Sequence, residues 1–80
     1  MSILREQRGR ITIFTINRPQ VKNALDIETS DELARHFQAF RDDPESWVAI
    51  LTGAGEDAFC AGADLKKIGE YYASMTPLER

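Results

Sequence analysis

The chain has 80 residues, enough for one small domain at most, and its single cysteine and single histidine exclude an internal disulfide and a cysteine–histidine metal site. Ten basic and thirteen acidic residues give a net charge of −3, which argues against nucleic acid as an electrostatic partner. No apolar run approaches the roughly 20 residues of a membrane span, and the lone cysteine favours a reducing cytoplasm.

The N-terminal part of the chain predicts a β-hairpin. Two short stretches, Ile3 to Gln7 and Ile11 to Ile16, are separated by a glycine between two arginines, and the second reads Ile-Thr-Ile-Phe-Thr-Ile. β-Branched and aromatic residues favour strands, and Gly9 between the stretches favours a tight turn. Pro19 cannot donate a hydrogen bond to a sheet, so the second strand is expected to end before it.

An amphipathic helix is predicted from Ile27 to about Arg41. Asp26 is a favourable N-cap residue, and acidic residues follow it in the early turns. Leu33, Phe37 and Phe40 recur at i, i+4 and i+7, which places them on one face of the helix. We expect the two phenylalanines to lie in the core.

A buried strand is predicted from Trp47 to Thr52, where the residues are almost continuously apolar. Such a run is typical of a strand that is covered on both faces, as in a parallel sheet, so Trp47 is expected in the core. Strand, helix and strand over about forty residues predict a right-handed βαβ unit. Further on, Asp64 to about Ser74 is predicted to be helical, and Thr76 with Pro77 is predicted to begin another helix.

The segment after the buried strand is the candidate functional loop. Gly53, Gly55 and Gly62 follow the strand within about ten residues, and Ala63 to Lys66 has the composition of a first helical turn. Backbone N–H groups at a helix start lack intrahelical partners and lie at the positive end of the helix dipole. The loop is therefore expected to bind an anion, or an oxygen atom that becomes anionic during a reaction.

The same glycines raise the alternative of a nucleotide-binding βαβ module. Gly53 to Ala58 fits the pattern G-x-G-x-x-A and follows a strand, as in a dinucleotide fingerprint. However, Gly62 and its small neighbours interrupt the helix that should open at once. No strand ending in an acidic residue follows about twenty positions later either. The context therefore disfavours this alternative.

Four ordered motifs carry a resemblance to a known family. They are Asn17-Arg18-Pro19, Lys22-Asn23-Ala24-Leu25, Ile50-Leu51-Thr52-Gly53 and Ala58-Phe59-Cys60-Ala61-Gly62-Ala63-Asp64-Leu65-Lys66. In order and spacing this set closely resembles the enoyl-CoA hydratase/isomerase (crotonase) family over nearly the whole chain, which corresponds to the N-terminal third of a family member. The resemblance implies an α/β protein of crotonase-like fold, in which residues 1–80 form the ββαβ start of a β-sheet spiral within a single domain.

The resemblance also implies roles for individual residues. The backbone N–H of Ala63 is expected to be one of two donors to the carbonyl oxygen of a coenzyme A thioester. That oxygen becomes an enolate oxygen in the transition state, where a fixed donor contributes about 3 kcal/mol. Arg18 is a further candidate for a phosphate contact. The coenzyme A portion of the substrate is expected to contact Lys22, Ala24, Ala61, Gly62, Ala63, Asp64, Leu65 and Lys66.

Several residues in these motifs also have plainer interpretations. Lys22 and Lys66 are compatible with ordinary solvated surface charges. Cys60 is expected to be a small packed residue rather than a nucleophile, because no base and orienting acid accompany it. Asp64 is expected to support the helix start rather than carry a proton. His36 is expected to lie on the surface without a catalytic role.

The resemblance places the rest of the catalytic machinery downstream of residue 80. Family hydratases add water with two glutamates, and their second oxyanion donor is a glycine; none of the three has a counterpart here. We therefore expect a fragment of a CoA-thioester hydratase or isomerase that is marginally stable and does not catalyse hydration alone. The alternative is a short non-catalytic protein that binds coenzyme A. The implied partner is an acyl-CoA thioester, with no separate cofactor because coenzyme A is part of the substrate, and the implied parent assembly is a homotrimer or hexamer.

Overall fold

The fold is a three-stranded sheet with one helix packed on one face. A computed structural model describes residues 2–67 and 70. In chain order, the elements are β1 (Ile3–Arg8), β2 (Ile11–Ile16), a 3-10 turn (Pro19–Val21), α1 (Ile27–Asp42) and β3 (Val48–Gly53). The sheet order is β1-β2-β3, with β1 antiparallel to β2 and β2 parallel to β3. The predicted ββαβ arrangement is confirmed.

The hairpin between β1 and β2 closes over two residues. Arg8 pairs with Ile11 in the antiparallel register, which leaves Gly9 and Arg10 as the turn. Gly9 has a φ of +60°, a left-handed conformation that costs a glycine nothing and other residues about 1–2 kcal/mol. The predicted second strand has the observed bounds, and the first extends one residue beyond its predicted end.

Helix α1 begins at the predicted cap. Asp26 is extended, with φ −90° and ψ 179°, and its carboxylate accepts the backbone N–H of Thr29 at 2.8 Å. The helix ends at Asp42, where the N–H of Asp43 turns back to the carbonyl of Phe40 at 3.1 Å. The next residue is Pro44, which disfavours helical geometry in the residue before it.

The core lies between α1 and the sheet face that carries alternate residues of β2. Ile3, Phe14 and Ile16 are fully buried there, and Leu33 and Phe40 of α1 pack against them. The expectation that His36 lies on the surface is wrong. Its side chain is half-buried, with its ring centroid 5.5 Å from that of Phe14. His36 therefore lies on the side of α1 that faces the core.

Two aromatic residues that were expected in the core are partly or largely outside it. Phe37 packs edge-on against Phe14, with ring centroids 5.4 Å apart, but remains 38% exposed. The prediction for Trp47 is wrong, because this residue precedes β3 and is 70% exposed, with the guanidinium of Arg10 4.8 Å from its ring centroid. Val48 is also exposed, because α1 covers only one face of the sheet.

The C-terminal predictions lie mostly beyond the part of the chain that the structure describes. Leu65, Lys66 and Lys67 are helical, as expected after Asp64. The continuation to Ser74 and the predicted helix start at Thr76 lie outside the described residues. Within residues 2–67 and 70, no helix is long and apolar enough to cross a membrane.

Candidate functional site

Two of the four sequence motifs meet to form the candidate site. Residues 22–25, which follow the 3-10 turn, lie beside residues 61–64, with Leu25 and Ala63 forming an isolated parallel bridge. The N–H of Leu25 donates to the Gly62 carbonyl at 2.8 Å, and the N–H of Asp64 donates to the Leu25 carbonyl at 2.7 Å. Ala61 adds a bond to the Lys22 carbonyl at 3.0 Å. Segments about forty residues apart in the chain are therefore held together by backbone hydrogen bonds.

This pairing leaves the N–H of Ala63 pointing away from residues 22–25. In a trans peptide the C=O and N–H point in opposite directions, and the Gly62 carbonyl is directed at the N–H of Leu25. Among the described residues no hydrogen bond uses the Ala63 N–H, and Ala63 is exposed. A single backbone donor is thus presented at the surface of the pair.

The residues next to this donor keep the approach open. Gly62 has a φ of +94°, and no heavy atom lies within 4 Å of the position that a Cβ would occupy there. Cys60 is half-buried, packs against the core, and lies with its Sγ 3.4 Å from the Gly62 N–H. The interpretation of Cys60 as a packed residue is confirmed.

The expected coenzyme A contacts divide into surface and interior positions. Lys22 is exposed and has a left-handed φ of 54°. Leu65 and Lys66 are also exposed, Leu65 to 80%. Ala24, in contrast, is only 8% exposed, and its carbonyl already accepts a hydrogen bond from the Arg18 guanidinium. Asp64 is turned inward, where one carboxylate oxygen accepts the Lys67 N–H at 3.2 Å, which confirms its role at the helix start.

The side chain of Asn23 connects Arg18 to the loop that runs from Ala54 to Ala58. The sequence analysis missed this role. Its side chain is 1% exposed, and its Oδ1 accepts the backbone N–H of Arg18 at 2.9 Å. Its Nδ2 donates to the carbonyls of Ala54 and Ala58 at 2.9 and 2.8 Å. The available signal was its residue type, because asparagine tolerates the observed φ of +60° and carries both a donor and an acceptor.

Replacing Asn23 with alanine is expected to lower the free energy of unfolding by about 2 kcal/mol. Two loop carbonyls would lose their donor, and alanine is less favourable than asparagine at a left-handed position. Urea denaturation of the full-length protein measures the change. Asn17→Ala is the matched control, because Asn17 is exposed. Equal stabilities of the two variants would contradict the connecting role of Asn23.

Arg18 lies inside the site rather than on its surface. Its side chain is 10% exposed, and its Nη2 lies 3.2 Å from Asp64 and 3.5 Å from Asp26. Its Nη1 donates to the Ala24 carbonyl. Three protein acceptors therefore already surround the guanidinium, and the phosphate contact of Arg18 stays a prediction.

The surroundings of Asp26 lower the pKa of its carboxyl group. The hydrogen bond from the side chain of Thr29 is the largest cause that lowers the pKa of Asp26 below its ordinary value of 3.8. The positive charge of Arg18 lowers this pKa further, whereas burial of the carboxyl group raises it. An aspartate with a lowered pKa in the folded state binds protons more readily when unfolded. Its stabilising contribution is thus present above about pH 4 and is lost as the pH falls through the folded-state pKa.

We therefore expect Asp26→Asn to weaken the acid dependence of stability. The amide keeps a cap acceptor but does not titrate, so its free energy of unfolding should fall less between neutral pH and the acid range. Asp26→Ala should cost about 1 kcal/mol at neutral pH, because it also removes the cap. Urea titrations at a series of pH values measure both changes. Parallel pH profiles for wild type and Asp26→Asn would contradict the assignment.

The cavities around the site differ greatly in size. A cavity of about 330 Å³ lies at the N-terminus of α1 and is lined by Asp26, Ile27, Glu28, Lys67 and Glu70. The crevice beside Gly55 has only about 20 Å³, the space of about one water molecule.

Gly53, the first glycine of the candidate dinucleotide fingerprint, lies close to other backbone atoms. A Cβ on Gly53 would lie 2.1 Å from the Phe59 carbonyl oxygen. That glycine thus permits internal packing, and no helix opens after it, which argues against the dinucleotide alternative.

Comparison with known proteins gives the family. The family model described as enoyl-CoA hydratase/isomerase matches residues 6–77. The chain belongs to this family. A carnitinyl-CoA dehydratase of Proteus mirabilis is 51% identical over 63 residues, which are 79% of this chain and 24% of that protein. An (E)-benzylidenesuccinyl-CoA hydratase of Thauera aromatica is 42% identical over 67 residues, covering 84% of this chain and 26% of that protein.

The solved structures agree with the described fold. The crystal structure of an enoyl-CoA hydratase from Bacillus anthracis superposes with a TM-score of 0.83 and 32% identity over 99% of this chain and 30% of that one. The crotonase fold is therefore confirmed. The chain spans about a quarter of the length of the curated relatives that it matches.

Proposed function

We propose that residues 1–80 are the N-terminal quarter of a CoA-thioester hydratase or dehydratase, in which the backbone N–H of Ala63 stabilises an enolate oxygen. The observation that carries the proposal is the bridge between Leu25 and Ala63, which directs one N–H away from the pair at an exposed position. The names of the relatives, a carnitinyl-CoA dehydratase and a benzylidenesuccinyl-CoA hydratase, support a thioester substrate.

The proposed mechanism uses the Ala63 N–H at the moment when charge develops. When water adds to an α,β-unsaturated thioester, or is eliminated to form one, negative charge accumulates on the thioester oxygen. A donor that is already oriented stabilises that charge without reorganisation, and one such donor contributes about 3 kcal/mol. The second donor and the acid–base glutamates are proposed to come from the protein's later residues, as the family resemblance implies.

The coenzyme A portion is proposed to lie along the exposed part of the same segment pair. Ala61 to Lys66 offers backbone groups at the surface, and Lys22 adds a positive charge beside them. Coenzyme A carries several phosphate charges, so Lys22 and Lys66 complement it electrostatically. We further propose that the parent protein assembles as a homotrimer or hexamer, on the family resemblance alone.

The test is to express the complete reading frame that contains these residues and to measure binding and turnover. Calorimetry should detect acetyl-CoA but not NAD, and crotonyl-CoA should lose its conjugated absorbance on hydration. The 80-residue chain alone should show no turnover above background. Binding of acetyl-CoA without any hydratase, dehydratase or isomerase activity in the full-length protein would favour the non-catalytic alternative. Binding of NAD in place of acetyl-CoA would contradict both.

A further inference from the structure

We propose that Arg18 is a positioning residue that orients the Ala63 N–H through two intervening peptide groups. The inference rests on the proposed function of Ala63, but the structural relay is defined independently of any substrate. None of the described hydrogen bonds joins Arg18 to Ala63, and Arg18 acts from the interior, where its side chain is 10% exposed.

The relay consists of consecutive hydrogen bonds that all point the same way. Arg18 Nη1 donates to the Ala24 carbonyl. The same peptide plane carries the N–H of Leu25, which donates to the Gly62 carbonyl at 2.8 Å. The plane of Gly62 in turn carries the N–H of Ala63. Because both peptides are trans and planar, fixing the first carbonyl fixes the direction of the last N–H.

The charge of Arg18 gives this relay a polarity that suits an oxyanion. A chain of aligned hydrogen bonds polarises its members in the direction of donation. A cationic donor at its start makes the N–H at its end a stronger donor, and hydrogen bonds from charged groups are about twice as strong as neutral ones. The relay thus links a buried positive charge to the atom proposed to meet the substrate's negative charge.

Two carboxylates hold the guanidinium in the orientation that the relay requires. Asp26 lies 3.5 Å and Asp64 3.2 Å from Nη2, with side chains 19% and 12% exposed. Both are also tied to the backbone, Asp26 by Thr29 and Asp64 by Lys67. The planar fork of arginine can contact the Ala24 carbonyl and these acids together, whereas the single ammonium of lysine cannot match that geometry.

The experiment compares Arg18→Lys and Arg18→Met with Arg41→Met in the full-length protein. Arg41 is the matched control, because it forms an exposed pair with Asp42. Two measurements are made. The first is the amide proton chemical shift of Ala63 in the ligand-free protein, observed by NMR after selective nitrogen labelling. The second is the pair of constants kcat and KM for crotonyl-CoA. Arg18→Lys is the deciding variant should Arg18→Met fail to fold, because it keeps the buried charge balanced.

We expect both Arg18 variants to move the Ala63 amide proton upfield and to lower kcat by a factor of about 10 to 100, with KM changed less than about threefold. Arg41→Met should change neither quantity. An unchanged Ala63 resonance in Arg18→Lys would overturn the relay. A raised KM at constant kcat would also overturn it, and would identify Arg18 as a substrate phosphate contact.

The two readouts separate this inference from the proposed function. The amide shift needs no substrate, so an Arg18-dependent shift in a protein that neither binds nor converts acyl-CoA would support the relay and contradict the function. Turnover of acyl-CoA by a protein in which the Ala63 amide shift does not depend on Arg18 would support the function and contradict the relay.

Discussion

Replacing Ala63 with proline should lower kcat of the full-length protein for its thioester by a factor of about 10² to 10³. Proline removes the N–H that is proposed to meet the enolate oxygen. No described hydrogen bond uses that N–H, since the bridge employs the backbone of Leu25, Gly62 and Asp64 instead. The substitution therefore deletes the proposed donor without removing a described hydrogen bond of the pairing. Steady-state kinetics and thermal unfolding measure the two consequences separately.

Ala63→Ser is the control for this experiment, because it adds a hydroxyl but keeps the backbone N–H. Its kcat should stay within about tenfold of wild type. A proline variant that remains folded and loses no more activity than the serine variant would remove Ala63 from the mechanism.

Replacing Gly53 with alanine should cost about 3 kcal/mol of unfolding free energy, as severe overpacking does. The new Cβ would lie 2.1 Å from the Phe59 carbonyl oxygen and 2.7 Å from Nδ2 of Asn23. Neither can move freely, because one is backbone and the other is bound to two carbonyls. Urea denaturation measures the effect.

Gly9→Ala is the comparison variant, because it has a torsional cost without a steric contact, whereas Gly53 is not among the glycines with a positive φ. Gly9 has a positive φ, but nothing lies within 4 Å of its added Cβ, so only the cost of about 1–2 kcal/mol for a left-handed residue applies. A Gly53→Ala variant that loses less unfolding free energy than Gly9→Ala would show that the contact with Phe59 relaxes easily.

Local sequence signals account well for the elements that frame the site. The bounds of β2 follow from its β-branched residues and the nearby Pro19, and the start of α1 follows from Asp26 as a cap. These features act within a few residues of the chain, so they can be read without knowledge of the fold. The identification of the family likewise depended on short motifs in a fixed order.

Burial could not be predicted as well, because it depends on which faces of the sheet are covered. The run from Trp47 to Thr52 is almost continuously apolar, which suggested cover on both sides. In the described chain α1 covers one side only, and Val48 and Ile50 remain 51% and 44% exposed. Trp47 precedes the strand and stacks with Arg10 instead.

The interior of the site was also beyond prediction from the sequence. The bridge between Leu25 and Ala63 joins single residues and has no periodicity that a pattern could reveal. Arg18 precedes a proline at a strand end and carries the features of an exposed residue. Its inward direction depends on acceptors from distant segments, including Asp64, which only the folded chain brings together.

The central claim is that the Ala63 N–H donates to the thioester oxygen of a bound acyl-CoA. Isotope-edited infrared spectroscopy with a carbonyl-labelled thioester tests it most directly in the full-length protein. The carbonyl stretch should move to lower frequency on binding to the wild type, and this shift should be largely lost in Ala63→Pro. The same stretching frequency in both bound complexes would contradict the claim.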